Sequence, residues 1–258
     1  MKVKQLVISS AISILIIYGI LIASAFYFFN STTLRESLSD KRLYSAVWIS
    51  VSAASIATLL AVIISIPAAY ALSRYSFRLK PAVDIFLELP MIISPAALGA
   101  LILIFFQTPL GNFIRENGMD VVYAFSGIVL AQFITVLGIS TRMMKAVFDE
   151  IPVRYENIAR TLGATHSQTF FKVSLPLARK GMLSAVVLTW AKAIGEFGAT
   201  ITVAGSMALK TETLPTAIFM KLSMADIKGT VIIILILFSI SVIMLVLARL
   251  ILRTKIYD

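Results

Sequence analysis

The sequence predicts an all-α integral membrane protein with six transmembrane helices. Apolar residues make up 59% of its 258 residues and only 14% are charged, whereas a soluble domain of this size needs a more charged surface. Uncharged runs recur that reach the ~20 residues needed to cross the hydrocarbon core of a bilayer. The basic residues collect between alternate runs, as they do in cytoplasmic loops. The expected surroundings of the chain are therefore a lipid bilayer.

The six predicted spans belong to one domain, residues 1–258, and cover 6–29, 46–72, 86–107, 122–145, 178–205 and 229–251. The first span follows Lys2 and Lys4 and precedes Ala23-Ser24-Ala25, which is also the order of a secretory signal peptide. Its apolar run is longer than the ~7–15 residues usual in such a peptide. We therefore expect a retained first helix.

Prolines interrupt the third span at Pro90, Pro95 and Pro109, together with Gly99 and Gly111. Membrane helices tolerate such breaks where a neighbouring helix or a water-filled cavity satisfies the freed backbone groups. The pattern suits a helix that lines a path and equally suits a packing kink. The sequence leaves both interpretations open.

The fifth span contains two charges, Lys192 and Glu196, four residues apart. Charges inside a membrane usually pair or face a cavity. Such a pair could line a translocation path or merely neutralise itself within the bundle. Gly198 permits close backbone approach, and the hydroxyls of Thr200 and Thr202 could contact a passing ion or a neighbouring helix. These five residues form the candidate path.

The distribution of basic residues predicts that both termini are cytoplasmic. Of the 23 Lys and Arg residues, 15 fall on the N-terminal side of the membrane, seven on the other side, and Lys192 within a span. The same count places the loop of residues 149–176 in the cytoplasm.

That loop is a polar, motif-like segment in a chain otherwise nearly all apolar. Residues 152–162 predict a short helix, and Gly163 suits the left-handed position that ends it. Thr165 and Gln168 have the spacing of a capping box for a second short helix, which we expect to end before Pro176.

The loop also predicts a docking surface. Glu156 and Arg160 are four residues apart, so they share a helix face and can pair or reach a partner. Small residues would fit a shallow groove. The candidate docking residues are Glu156, Ala159, Arg160, Leu162, Gly163, Ala164, Leu175 and Pro176. The charge pattern taken alone favours a solvated connecting loop.

Catalytic and metal sites are not expected. The chain has no Cys, and its one His, His166, has no partners with metal-ligand spacing. It lacks the GxxxxGK[ST] pattern that binds nucleotide phosphates, so any ATP hydrolysis must come from a partner. The net charge of +10 is explained by loop residues and does not require nucleic acid. We expect no cofactor and no enzyme activity.

Three segments carry a family resemblance. Residues 156–164 are ENIARTLGA, followed by Val173, Leu175 and Pro176; residues 193–202 are AIGEFGATIT; residues 211–218 are TETLPTAI. They resemble segments in permease subunits of binding-protein-dependent ABC importers, in particular the molybdate/tungstate branch. Asn157 and Ile158 depart from the smaller residues typical of that loop. The resemblance covers roughly residues 43–252.

The resemblance implies a type I ABC importer-like permease fold with a cytoplasmic coupling helix in the loop. It implies a homodimer with two copies of an ABC ATPase subunit and an extracytoplasmic oxyanion-binding protein. The expected cargo is a tetrahedral oxyanion, molybdate or tungstate. Alternatives are a sulfate or thiosulfate permease and an autonomous channel or secondary transporter. An intramembrane enzyme would need a cluster of reactive side chains, and only Lys192 and Glu196 are available.

Overall fold

A computed structural model describes residues 2–118 and 120–253, and these residues form helices and connecting turns without any strand. In chain order the elements are α1 (Lys2–Tyr27), α2 (Ser31–Ser39), α3 (Lys41–Arg74), α4 (Lys80–Ile92), α5 (Pro95–Phe105), α6 (Pro109–Glu116), α7 (Phe125–Asp149), α8 (Arg154–Thr161), α9 (His166–Thr169), a π-helical turn (Phe170–Ser174), α10 (Leu175–Ile194), α11 (Gly198–Ala204), α12 (Leu214–Ser223) and α13 (Ile227–Arg253). The predicted all-α class is confirmed.

Four helices of the described chain are long and apolar enough to cross a membrane: α1, α3, α7 and α13. Two further spans are possible if each bent pair counts as one, namely α4 with α5, bent by 113°, and the helix ending in α10 with α11, bent by 53°. Length and composition thus give four to six spans. The prediction of six falls at the upper limit.

The helix bounds differ from two of the predicted spans. Residues 86–107 are not one helix, because the Ser94 hydroxyl caps a new helix by accepting from the Ala97 N–H, and Pro95 supplies the first residue of α5. The span predicted at 122–145 begins later, at Phe125, since the preceding turn places Tyr123 at a φ of 56°. The prolines of the sequence indicate the first break, whereas hydropathy alone does not reveal the turn before Phe125.

The core is built on close packing of α3 against α7. On α3 a ridge of small residues is fully buried at every fourth position: Ala53, Ala57, Ala61, Ser65 and Ala69. Small side chains let two membrane helices approach closely. Two bonds fix the register, Ser65 Oγ to Thr141 Oγ1 at 2.9 Å and Ser73 Oγ to Asp149 Oδ1 at 2.5 Å. Both join positions 76 apart, so the helices run parallel.

Glycines allow the broken helices to pack on this core. A Cβ on Gly138 of α7 would lie 2.3 Å from the Leu87 carbonyl oxygen of α4. A Cβ on Gly99 of α5 would lie 2.8 Å from the Thr202 Cβ of α11. Arg142 forms an ion pair with Glu88 across the α4–α7 contact. The α4–α7 contact is therefore backbone to backbone, and Gly99 lets the two bent pairs pack against each other.

The end of the bundle away from α8 is closed by polar contacts. Arg42 at the start of α3 donates to both carboxylate oxygens of Glu212, at 2.5 and 2.7 Å, and Glu212 is buried. The Leu214 N–H donates to Ser50 Oγ at 2.7 Å. α1, by contrast, buries none of its most apolar stretch. Its retention or removal stays a prediction.

Candidate functional site: the loop between α7 and α10

The loop between α7 and α10 ends its first helix as the sequence predicts. Gly163 has a φ of +91°, the left-handed region that glycine adopts without strain. Its N–H donates to the Arg160 carbonyl, and the Ala164 N–H donates to the Ala159 carbonyl, both at 3.0 Å. These two bonds form a Schellman motif, which satisfies carbonyls at the end of α8.

The second helix begins as predicted and ends differently. Thr165 and Gln168 form a reciprocal capping box, with bonds of 2.9 and 3.2 Å. The helix does not stop before Pro176, however. It continues through the π-helical turn, where the Leu175 N–H reaches the Phe170 carbonyl, into α10. The wider turn makes room for a proline that lacks an N–H and would clash in a regular helix.

Glu156 lies inside the loop and not on its surface. It is 7% exposed and accepts from Arg74 Nε at 2.7 Å, Ser174 Oγ at 2.8 Å and Tyr70 Oη at 3.1 Å. Arg160, in contrast, is exposed. Glu156 therefore pairs with Arg74 and not with Arg160, and its predicted role in docking stays a prediction. Glu156 instead joins α8 to α3 and to the π-helical turn.

Arg74 completes this buried cluster at the end of α3. Besides Glu156, it donates to the Ile151 carbonyl at 2.8 Å and to Ser73 Oγ at 3.0 Å. Sequence reasoning missed Arg74, Tyr70 and Ser174 as site residues. A basic residue at the end of a membrane helix is common, so the sequence carries no signal that distinguishes Arg74 from its exposed neighbours.

The surface of α8 presents an apolar stripe. Tyr155, Ile158 and Leu162 are spaced by three and four residues and are exposed, Leu162 by 83%. Ala159, on the same side, is half-buried. An amphipathic helix usually turns its apolar side to the core. Here the polar side carries the buried Glu156, and the apolar side faces outward.

Two grooves border the loop. One, of about 250 Å³, lies between the end of α3 and α9 and is lined by Pro67, Tyr70, Ala71, Tyr75, His166, Ser167, Phe170 and Phe171. The other, about 480 Å³, runs along α10 and is lined by Leu175, Pro176, Arg179, Met182, Leu183 and Val186. Leu175 and Pro176 therefore lie apart from the stripe on α8. His166 borders the first groove and is exposed.

The candidate path residues gather at the break between α10 and α11, apart from Lys192. Glu196 is 2% exposed, and its Oε1 accepts from the Ala199 N–H at 3.0 Å, which caps α11. Lys192 is exposed, and no ion pair of the described residues joins it to Glu196. The predicted intramembrane ion pair is therefore not formed.

The three other path residues belong to α11. Gly198 packs on α5, where a Cβ would lie 3.0 Å from Pro95 Cβ and from the Ala96 nitrogen. Thr202 Oγ1 donates to the Gly198 carbonyl at 2.7 Å. Thr200 is fully buried, and its hydroxyl has no hydrogen-bond partner in the described structure.

A family model described as "Binding-protein-dependent transport system inner membrane component" matches residues 61–256. The chain belongs to this family. It is thus a multi-pass membrane permease subunit of an ABC importer, a transport component and not an enzyme. Membership implies an ATPase subunit and a periplasmic binding protein as partners.

Curated relatives of this permease differ in their stated cargo. The molybdenum transport system permease protein ModB of Escherichia coli K12 is 34% identical over 68% of this chain and 78% of its own length. The sulfate transport system permease protein CysW of Synechocystis is 33% identical over 83% and 80%. The probable transport system permease protein NifC of Clostridium pasteurianum is 28% identical over 84% and 77%.

Solved structures of other ABC transporters contain the same fold. A bacterial alginate ABC transporter has a chain with a TM-score of 0.75 and 17% identity, covering 95% of this chain and 92% of its own. The MetNI methionine ABC transporter gives a TM-score of 0.66 and 18% identity, covering 81% and 94%. The type I ABC importer permease fold expected from the resemblance is confirmed.

Proposed function

We propose that this permease carries molybdate or tungstate across the cytoplasmic membrane. It would act as a homodimer with two ABC ATPase subunits and an extracytoplasmic oxyanion-binding protein. The observation that carries the transport role is the outward apolar stripe of α8 on a loop braced by the buried Glu156–Arg74 pair. Support for the cargo comes from the segments ENIARTLGA, AIGEFGATIT and TETLPTAI and from the ModB relative.

The contacts of the loop suggest how ATP binding would reach the membrane. A partner pressing on the stripe of α8 would displace Glu156, which is bonded to α3 through Arg74 and to the π-helical turn through Ser174. The π-helical turn leads directly into α10. α10 ends at Gly195, where the bend to α11 begins. One movement of the loop would therefore reach both α3 and the broken helix.

The passage of an oxyanion calls for weak, neutral contacts, because a strongly bound ion would not leave. Thr200, Thr202 and the backbone around Gly198 offer such contacts at the α10–α11 break. The exposed Lys192 would attract an anion toward this region. Glu196 would act as a positioning residue, since its carboxylate already caps α11.

The docking role predicts that a negative charge in the apolar stripe will prevent ATPase binding. Ile158→Glu or Leu162→Glu should lower co-purification of the ATPase at least tenfold, because a desolvated, unpaired carboxylate at an interface costs several kcal/mol. The protein should still insert, since both side chains are exposed.

Asn157→Glu is the matched control, because it adds the same charge to the opposite, exposed side of α8. It should retain the ATPase. Equal retention by all three variants would exclude the stripe as the docking surface. Binding of a cytoplasmic ATPase to this loop would also support the proposed orientation, with both termini in the cytoplasm.

An uptake assay in liposomes identifies the cargo. We expect the chain, reconstituted in liposomes with its ATPase and binding protein, to accumulate radiolabelled molybdate only when ATP is supplied. Equimolar tungstate should compete, and equimolar sulfate should not. Preferential uptake of sulfate or thiosulfate would support the alternative favoured by the CysW relative. Uptake by the chain without an ATPase would instead indicate an autonomous transporter.

A further inference from the structure

Four buried polar side chains of the described helices have no hydrogen-bond partner. One, Ser140, lies further along α7; the other three are Gln132 of α7, through both its Oε1 and its Nε2, Thr58 of α3 and Thr200 of α11, through their hydroxyls. Gln132 and Thr200 are fully buried and Thr58 nearly so. An unsatisfied polar group is costly where neither water nor a headgroup can reach it. A small bound molecule that hydrogen-bonds these atoms would remove that cost.

The register of the helices places the three side chains at one level. Ile49 and Ala53 of α3, Ile128 of α7 and Ala204 of α11 form one buried cluster. α11 runs opposite to α7, because the Tyr123 N–H just before α7 donates to the Val203 carbonyl near the end of α11. One helical turn toward α8 leads from Ala53 to position 57 on α3, from Ile128 to Gln132 on α7, and from Ala204 to Thr200 on α11. Thr58 is the residue after position 57.

Most buried or half-buried threonines of the spanning helices satisfy themselves. Thr141 Oγ1 donates to the Leu137 carbonyl at 2.8 Å, Thr189 to the Ala185 carbonyl at 2.8 Å, and Thr202 to the Gly198 carbonyl at 2.7 Å. Thr58 and Thr200 make no such bond. Their hydroxyls are therefore available to hydrogen-bond one bound molecule together with the Gln132 amide.

We propose that Thr58, Gln132 and Thr200 form an intramembrane hydration site, which holds an ordered water molecule between α3, α7 and α11. The Gln132 amide offers one acceptor and one donor group, and each hydroxyl can do either. Water matches this set, because a buried water typically makes two to four hydrogen bonds of both kinds. A metal ion fits poorly, since the described residues hold no group of three acidic, His or Cys side chains.

The site would fasten the short helix α11 to the two central helices. α11 follows a bend and has only seven residues, so few of its own backbone bonds hold it. A water bonded to all three helices would fix its position at the level of the path residues. The site does not depend on the identity of the cargo, although it uses the Thr200 hydroxyl that also belongs to the candidate path.

Isosteric substitutions test the site. Thr58→Val and Thr200→Val remove one hydroxyl each and keep the shape of the side chain. In the full chain purified in detergent with its ATPase, each should lower Tm by about 2–4 °C. The Tm of the double variant should be no lower than that of the less stable single variant, because either substitution alone already removes the bound water. Thr189→Val is the matched control: its buried hydroxyl bonds only within its own helix, and its Tm should change less.

The opposite sign is expected if the groups are simply unsatisfied. Removing an orphan hydroxyl would then raise Tm or leave it at the control value, and the two changes would add. A direct check is an experimental structure of the wild-type complex that resolves ordered water. A density peak within hydrogen-bond distance of Gln132 and Thr200 supports the site. Direct bonds among the three side chains, or no peak, would overturn it.

Discussion

Arg74→Met should unfold or severely destabilise the loop between α7 and α10. The side chains of Arg74 and Glu156 are only 7% and 9% exposed, and removing one partner of a buried ion pair costs about 3–5 kcal/mol because the other charge stays buried. Glu156→Gln should have a smaller effect, since its amide can keep bonds to Ser174 and Tyr70. The measurements are Tm, the yield of inserted protein and co-purification with the ATPase.

The double variant Arg74→Met/Glu156→Gln should recover part of the loss, because no buried charge remains. Recovery should be incomplete, since Arg74 also bonds the Ile151 carbonyl. Lys145→Met is the matched control: its pair with Asp149 is at the same end of the bundle but is more exposed, so it should contribute only about 0–1 kcal/mol. If Arg74→Met behaves like Lys145→Met, the buried pair does not hold the loop.

Gly138→Ala should separate α4 from α7. The added Cβ would lie 2.3 Å from the Leu87 carbonyl oxygen, and a backbone atom cannot move aside without shifting the whole of α4. Overpacking of this kind costs about 1–3 kcal/mol or more. We expect a lower Tm and a smaller fraction of protein that stays monodisperse in detergent.

Gly19→Ala is the control for this glycine, because nothing lies within 4 Å of its added Cβ and it is also inside a helix. Alanine favours a helix over glycine by about 1 kcal/mol, so this variant should be neutral or slightly more stable. A wild-type Tm for Gly138→Ala would mean that α4 and α7 do not approach as closely as the structure shows.

Local signals in the sequence were sufficient for much of this structure. Apolar runs located the long helices, and Gly163 and the Thr165–Gln168 spacing located the turns of the loop, because those features depend on neighbouring residues. Partners distant in the chain could not be found this way. Glu156 bonds Arg74 across 82 positions, and a helix face gives no sign of which opposite charge will reach it.

Pro176 and Lys192 show two further limits. Pro176 predicts a helix end, but the helix continues because a π-helical turn before it accommodates a residue without an N–H. The sequence carries no marker for that turn. Lys192 and Glu196 had the spacing of a helical pair, yet the bend after Ile194 turned Glu196 toward the backbone of α11. In both cases a break in regular geometry, which pattern alone does not reveal, decided the contact.

The π-helical turn at Phe170–Ser174 also decides where a proline can stand. Such a turn contains one more residue than the α-helical turn it replaces, so α9 and α10 remain parts of one continuous helix across it. Deleting one residue here would convert it into a regular α-helical turn and bring the ring of Pro176 against the carbonyl of the residue four positions before it. The extra residue is thus what allows the chain to enter the spanning part of α10 through a proline without a break.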